Sequence, residues 1–249
     1  MGVNVYEYLT FDGKSTADFG VWISGGGTFN APARDIETIS IPGRNGDLYR
    51  DNGRYRNITI TYPAFISDRF QPRMDAFRAW LCSHVGYYRL EDSYHPDEYR
   101  MGLFKAAVSV STTVRNLAGT FALSFDCKPQ RWLKSGETAI RYTTNGTIYN
   151  PTMYTAEPLI TLKGTPGVSG AFNIKGNQQI NIKFPDSGTI IIDVENGEAY
   201  DTDGANLNNN VSFPASNTAQ DFPRIAPGSN AVLMWNVASV EIVPRWWTI

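Results

Sequence analysis

Side chains able to bind a metal or to carry out catalysis are scarce in this chain, which contains two histidines and two cysteines. The closest approach to a zinc site is the set Cys82, His84, His95 and Asp97. Spacings of two and eleven residues between its first three members match no established zinc pattern. No serine near either histidine lies in a nucleophile-elbow motif. We therefore predict no catalytic residue, no bound metal and no cofactor.

An acid-rich stretch, residues 193–204, could bring two carboxylates within the 5–10 Å or so that a glycosidase needs. Asp201 to Gly204 also resembles the start of a calcium loop, but the glycine stands at the fourth position instead of the sixth and no acid stands at the twelfth. The ordinary interpretation is a solvated hairpin and turn built from Asp and Asn. We favour that interpretation over hydrolysis or metal binding.

Two short motifs have both a functional and a structural interpretation. The glycines at 25–27 are not followed by Lys-Ser/Thr, so they do not form a phosphate-binding P-loop. The paired Trp246 and Trp247 could stack on a sugar, although tryptophans more often pack on the domain that carries them.

A cluster of arginines and tyrosines is the strongest candidate site. Its members are Arg44, Tyr49, Arg50, Arg54, Tyr55 and Arg56. Arginine interleaved with aromatic residues could bind single-stranded nucleic acid. Both residue types are also enriched at protein interfaces, and Asp47 and Asp51 dilute the positive charge. We favour a subunit interface and take the six residues as interface candidates.

Most of the elements that must position these residues are predicted strands, because apolar and polar residues alternate with period two. In the first half the predicted strands are 6–11, 19–23, 36–41, 57–62, 87–90, 104–110 and 121–127. In the second half they are 138–142, 159–163, 171–175, 179–184, 189–193, 198–200, 231–235 and 240–244. The pairs Asn45-Gly46, Asn52-Gly53 and Asn196-Gly197 predict hairpins.

A single helix is predicted after residue 68, where Asp68 can cap it and Gly86 can end it. Its apolar stripe follows spacings of four, three, four and four residues: Phe70, Met74, Phe77, Leu81 and Val85. Pro72 falls in the first turn, where a missing N–H costs little.

The composition shifts near residues 128–131. Up to Arg131 the chain has 15 basic and 14 acidic residues, and beyond it 7 and 10, with few arginines. We predict two domains, 1–131 with mainly β structure and one helix, and 132–249 as an all-β sandwich.

The overall composition excludes several classes of protein. The formal charge of −2 over 249 residues argues against a protein that grips a polyphosphate backbone. Apolar residues make up 42%, which is enough for a core, and two cysteines cannot form a disulfide scaffold, so we predict both as reduced core residues. No secretory signal, myristoylation signal or membrane-spanning run is apparent, so the chain reads as soluble and made in a cytoplasm.

The ordered series of motifs resembles the distal tail protein family of long, flexible-tailed bacteriophages. One element is 17–21, and another is Pro42-Gly43-Arg44-Asn45-Gly46-Asp47-Leu48, similar to the family's PGR-x-G-x-L hairpin. The single helix after several strands also fits. The second half supplies 190–193, Asn196-Gly197, Tyr200, 203–206, 222–230 and 244–246. The resemblance covers nearly the whole chain.

The resemblance implies a structural protein and not an enzyme. Family members form a hexameric ring through a β-rich N-terminal domain, and the ring joins the tail tube protein to tail-tip and receptor-binding proteins at the distal end of the virion tail. The C-terminal domain is a galectin-like sandwich. Here it spans 118 residues, 132 to 249, which leaves no room for an inserted carbohydrate-binding module. The alternatives are a lectin-like or cell-wall-degrading tail component and a tail-tube subunit.

Overall fold

The structure is a computed structural model that describes residues 6–25, 29–174, 178–215 and 221–249. Two of the three glycines at 25–27 and the last residue of the predicted strand 171–175 therefore lie outside the described residues. Contacts divide the chain into two compact units. Unit 1 comprises residues 1–131 with Ile249, and unit 2 comprises residues 132–248.

Unit 1 is built mainly from short antiparallel strands. They are β1 (Leu9–Phe11), β2 (Lys14–Ser15), β3 (Trp22–Ile23), β4 (Arg34–Ile39), β5 (Leu48–Tyr55), β6 (Ile58–Ile66), β7 (Tyr88–Asp92), β8 (Glu98–Phe104), β9 (Val110–Thr112) and β10 (Gly119–Cys127). The helix α1 (Phe70–Cys82) is the one α-helix among the described residues, and 3₁₀ turns occupy Thr16–Phe19 and Val114–Asn116.

The main sheet of unit 1 runs in the order β2-β1-β7-β8-β10-β6-β3, and β9 adds to β10. The strand β10 shows how alternation builds the core, because Phe121, Leu123, Phe125 and Cys127 point inward while the residues between them are more exposed. Full burial of such a side chain contributes about 1.5–3 kcal/mol. The strands β4 and β5 do not join this sheet and form a separate two-stranded ribbon.

The predicted helix is present and buries the predicted stripe of Phe70, Met74, Phe77 and Leu81. Its ends differ from the prediction. Arg69 occupies the N-cap position in the left-handed conformation without a side-chain cap, and Asp68 instead accepts a hydrogen bond from Arg73. The helix ends at Cys82, so Val85 lies beyond it and is 87% exposed.

The two cysteines differ in burial. Cys127 is buried at the end of β10, and burial raises the pKa of its thiol to about 12. Cys82 is exposed, so the prediction that both are core residues was wrong for this one. It sits in the last turn of α1, next to the buried Leu81 but on the outer side.

Unit 2 consists of antiparallel strands. The first of them, β11, begins at Arg131, which is the last residue of unit 1 before the boundary, and the others follow within unit 2. The strands are β11 (Arg131–Leu133), β12 (Ile140–Tyr142), β13 (Gly146–Asn150), β14 (Leu159–Lys163), β15 (Ser169–Ile174), β16 (Gln178–Lys183), β17 (Thr189–Asp193), β18 (Glu198–Tyr200), β19 (Val211–Ser212), β20 (Gly228–Trp235), β21 (Ser239–Val243) and β22 (Trp247–Thr248). Further 3₁₀ turns occupy Lys134–Glu137 and Asn208–Asn210.

Two five-stranded sheets form a sandwich, which we call the sandwich throughout. Their orders are β12-β21-β14-β17-β18 and β13-β20-β15-β16-β19. Inward-facing residues of both sheets, such as Ile160, Phe172, Ile190 and Val232, are fully buried in one shared core. The predicted all-β sandwich is confirmed.

Several strand predictions differ from the structure, two of them as follows. The segment 104–110 was predicted as one strand, but β8 ends at Phe104, β9 begins at Val110, and residues 105–109 lie between them. The strand β13 was not predicted, because its five residues include Gly146 and Asn150 and show little apolar alternation. No helix in the described ranges is long and apolar enough to cross a bilayer.

Candidate assembly surface

The ribbon, residues 34–55, is a two-stranded sheet of β4 and β5 that no third strand joins among the described residues. Its register pairs Thr38 with Tyr49 and Ile39 with Leu48. Isolated two-stranded hairpins are at best marginally stable in water. The ribbon therefore depends on its anchor to the rest of unit 1 or on a partner.

Both faces of the ribbon carry exposed apolar side chains. Because side chains alternate across a strand, Ile36 and Tyr49 project from one face, and Ile39 and Leu48 project from the other. All four are exposed, and Tyr49 reaches 76%. Clusters of exposed apolar side chains are candidates for binding surfaces.

A buried carboxylate fixes the base of the ribbon. Asp35 is only 6% exposed, and its two oxygens accept hydrogen bonds from Arg54 Nε at 2.7 Å and Arg56 Nε at 2.9 Å. The hydrogen bonds from Arg54 and then Arg56 hold the pKa of Asp35 below its ordinary value. Such charge-assisted hydrogen bonds are stronger than neutral ones, so this pairing sets the geometry of the base.

A second polar cluster joins the two strands beside the base. Arg34 Nε donates to Asp51 Oδ2 at 2.6 Å, and its guanidinium lies over the ring of Tyr55. The backbone hydrogen bond from Gly53 and then the Arg34 side chain lower the pKa of Asp51. The hydroxyl of Tyr55 accepts a further hydrogen bond from Arg34.

The predicted hairpin at Asn52-Gly53 is wrong. Both residues lie within β5. Opposite them, the pairing register of β4 shifts between Arg34 and Ile36, and β5 forms a bulge there. Gly53 has φ +72°, the left-handed conformation that Asn-Gly supplies in a turn and also in a bulge. The turn of the ribbon is the loop 40–47, which contains the other predicted hairpin pair, Asn45-Gly46. Within this loop, Gly43 and Gly46 have positive φ.

The six predicted interface residues divide into two groups. Arg54, Arg56 and Tyr55 hold the ribbon together from within. Arg44, Arg50 and Tyr49 are exposed, and neither of these arginines forms an ion pair within the described ranges.

Sequence reasoning missed the contribution of Asp35 and of the exposed Ile36, Ile39 and Leu48. One signal was present: an acid at the start of an apolar strand faces a neighbouring strand rich in arginine.

The acidic residues of the stretch 193–204 form hydrogen bonds and an ion pair that stabilise local turns. The oxygens of Asp193 pair with both terminal nitrogens of Arg245, at 2.7 and 3.2 Å, and accept hydrogen bonds from Asn196. Asp201 Oδ1 accepts from the backbone of Asp203 and Ala205 and closes a turn. The acids therefore build the β17–β18 hairpin and the turn that follows it, as the ordinary interpretation predicts.

The two histidines lie beside different acidic residues. His84 lies 3.3 Å from a carboxylate oxygen of Asp12, whereas His95 Nδ1 lies 3.0 Å from Asp92. No group of three or more His, Cys, Asp or Glu side chains suited to a metal occurs in the described part of the chain.

The tryptophans pack on the unit that carries them. Trp246 is buried in the core of the sandwich. The ring of Trp247 stacks on Tyr154 at 4.3 Å, and its Nε1 donates to Thr155 O.

Known structures resemble this chain over almost its whole length. No protein family model matches it, and no curated protein matches it in sequence. The SPP1 Dit (gp 19.1) protein, described as a paradigm of the hub adsorption apparatus in phages that infect Gram-positive bacteria, matches with a TM-score of 0.75 and 11% identity over 98% of this chain and 99% of that chain.

Chains of the phage P2 baseplate in its activated conformation resemble this chain less strongly. The structure with Ca matches with a TM-score of 0.51 and 12% identity, over 96% of this chain and 97% of that one. The structure with Sr matches with the same TM-score and identity, over 97% of both chains. The chain thus has the mainly β fold of the SPP1 distal tail protein, and the fold that the sequence resemblance implied is confirmed.

Proposed function

We propose that this protein is the structural hub of a phage tail tip or baseplate. In this proposal six copies form a ring that joins the tail tube protein to tail-tip and receptor-binding proteins at the distal end of the virion tail. The observation that carries it is the fold shared with a phage hub protein over 98% of the chain. The protein acts through shape and contact, and no reaction is assigned to it.

The ribbon supports ring formation. A closed ring uses heterologous contacts, in which one surface of each subunit meets a different surface of the next. The ribbon supplies exposed apolar side chains on both faces, including Leu48 and Tyr49. Arg44, in the turn of the ribbon, and Arg50, which lies opposite Glu37, are exposed, and acidic groups of a neighbouring subunit can pair with them.

The charge of the chain fits a tail component that DNA passes without being gripped. A formal charge of −2 gives little attraction for a phosphate backbone. We assign no specific nucleic acid binding and no membrane insertion to the protein. Its partners are further copies of itself and the neighbouring tail proteins.

Light scattering of the purified full chain tests the proposal. A mass near six times the 27.7 kDa of the chain, or twice that for paired rings, supports the hub. Long polymers along one axis would indicate a tail-tube subunit. A monomer at millimolar concentration would contradict the proposal.

A matched pair of variants links that mass to the ribbon. The double variant Leu48→Ser, Tyr49→Ser removes exposed apolar groups from both faces and should shift the mass to that of the monomer. The control Tyr149→Ser removes a tyrosine of similar exposure, 67%, from the sandwich and should leave the mass unchanged. Equal loss of assembly in both variants would show that the ribbon is not the specific subunit contact.

A further inference from the structure

The outer face of the sheet β13-β20-β15-β16-β19 carries the one exposed tryptophan of the chain. Trp235 is 63% exposed, whereas the other tryptophans are buried or half-buried. Side chains alternate along β20, so Trp235 projects away from the sandwich core on which Met234 packs. Tryptophan is a largely buried residue type, and an indole left in solvent on a sheet is therefore a candidate contact for a ligand.

The pairing register places a small residue and an amide beside this indole. Trp235 of β20 lies opposite Ala171 of β15, and Ala171 lies opposite Asn181 of β16. Two strand spacings, about 10 Å, therefore separate the backbones of Trp235 and Asn181. The side chain between them is a single methyl group, which leaves room above it for a small ring-shaped ligand.

The amide of Asn181 is held in one orientation. Gln179 Nε2 donates to Asn181 Oδ1 at 2.9 Å. The other end of the amide, Asn181 Nδ2, donates to no acceptor among the described residues, so its two N–H groups are available. A donor whose orientation is already fixed loses less freedom when a ligand binds.

This face is almost without charge, in contrast to the outer face of the other sheet. Its five strands contain one charged residue, Lys183 at the end of β16. The outer face of the other sheet exposes Arg141, Lys163 and Glu241. The chemistry around Trp235 therefore suits a neutral ligand better than an ionic one.

We propose that this face binds a neutral saccharide, with one sugar ring seated over Ala171 between Trp235 and Asn181. The C–H groups on one side of a pyranose ring form an apolar patch that packs on an indole, and its hydroxyl oxygens accept hydrogen bonds from Asn181 Nδ2. A stable protein partner would need to cover about 800 Å², more apolar surface than Trp235 and the neighbouring Leu233 offer. The inference concerns unit 2 alone and does not depend on the proposed function.

Saturation-transfer NMR of the full chain with maltose, cellobiose, lactose and N,N′-diacetylchitobiose tests the inference. At least one of these disaccharides should bind in a saturable way, with a dissociation constant in the millimolar range. Because the face is almost neutral, the affinity should change by less than about twofold between about 0.05 and 0.5 M NaCl. Failure of all four to bind would overturn the inference, and so would binding that is lost at high salt.

Variants locate the binding site. Trp235→Ala should weaken the affinity by about tenfold or more, and Asn181→Ala by about threefold or more. The matched control Tyr149→Ser removes a ring of similar exposure, 67%, from the same face. Tyr149 lies about 20 Å along the sheet from Trp235, so this control should keep the affinity. Equal losses in Trp235→Ala and Tyr149→Ser would contradict the assignment.

Light scattering separates this site from a contact between copies of the chain. Trp235→Ala should leave the mass of the particle unchanged. If the mass falls instead, the face is a protein contact and the inference is wrong. A monomeric protein that still binds a disaccharide through Trp235 would contradict only the proposed function.

Discussion

The ribbon and the sandwich are both antiparallel β structure, yet they handle their apolar residues in opposite ways. In the sandwich, two sheets cover each other, and residues such as Phe172 and Ile190 are fully buried. In the ribbon, two strands stand alone, and Leu48 and Tyr49 remain exposed. The sandwich completes its own core, whereas the ribbon leaves apolar surface for another molecule to cover.

The sharpest contrast concerns stability. Replacing Phe172→Ala in the sandwich should lower the free energy of unfolding by about 3–5 kcal/mol, because it leaves a cavity in a closed core. Urea denaturation followed by tryptophan fluorescence measures the change. The same truncation of Tyr49 in the ribbon should stay within about 0.5 kcal/mol in the monomer. Similar losses for both would remove the distinction between the two regions.

A second prediction concerns the ion pair that holds the β17–β18 hairpin. Asp193→Asn should destabilise the sandwich by about 2 kcal/mol, because Arg245 loses its closest carboxylate and keeps only the longer contact with Glu195, at 3.4 Å. Burial raises the pKa of Asp193, but the hydrogen bonds and charge of Arg245 outweigh it, so the net pKa is lowered.

The pH dependence of this pair follows from that direction. The stabilisation is present above the ordinary carboxyl pKa near 3.8 and is lost as the pH falls through the lowered value of the folded state. Urea midpoints measured from neutral to acid pH should therefore fall more steeply for the native chain than for Asp193→Asn. Parallel curves would contradict the assignment.

A third prediction separates stability from assembly in the ribbon. Leu48→Ala should change the free energy of unfolding of the monomer by less than about 1 kcal/mol, because its side chain is exposed. The same variant should weaken association measurably by sedimentation velocity. If Leu48→Ala lowers the free energy of unfolding by several kcal/mol but leaves association unchanged, the side chain stabilises the fold and not the assembly, and the prediction is wrong.

The smallest effect is expected at the base of the ribbon. Asp35→Asn removes the charge that Arg54 and Arg56 bind and should speed hydrogen exchange of the ribbon amides without shifting global unfolding. In the native chain, the lowered pKa of Asp35 means that protection persists above pH 3.8 or so and is lost as the pH falls through the lowered value. Unchanged exchange in Asp35→Asn would show that the base does not hold the ribbon.

Strict alternation made much of the sandwich predictable. The strands β14 and β17 match the predicted ranges 159–163 and 189–193, because their inward positions are continuously apolar. Prediction failed where burial is not apolar. The strand β8 buries Arg100 and Gly102 on its inward side, so period-two hydrophobicity did not reveal it.

The ribbon was predicted only in part. Asn-Gly pairs indicate a left-handed backbone, but that conformation serves a bulge at Gly53 as readily as a turn. The arginine and tyrosine cluster was found from composition. Its division into internal pairs and free groups was not predictable, because it depends on the burial of Asp35, which tertiary contacts decide.

A cryo-electron microscopy structure of the assembled particle tests the central claim most directly. The account predicts a six-fold ring in which the ribbon of each subunit contacts its neighbour, with Arg44, Arg50 and Tyr49 buried at that contact. A ring that leaves Arg44, Arg50, Arg54 and Arg56 all in bulk solvent, or particles that contain a single copy, would contradict it.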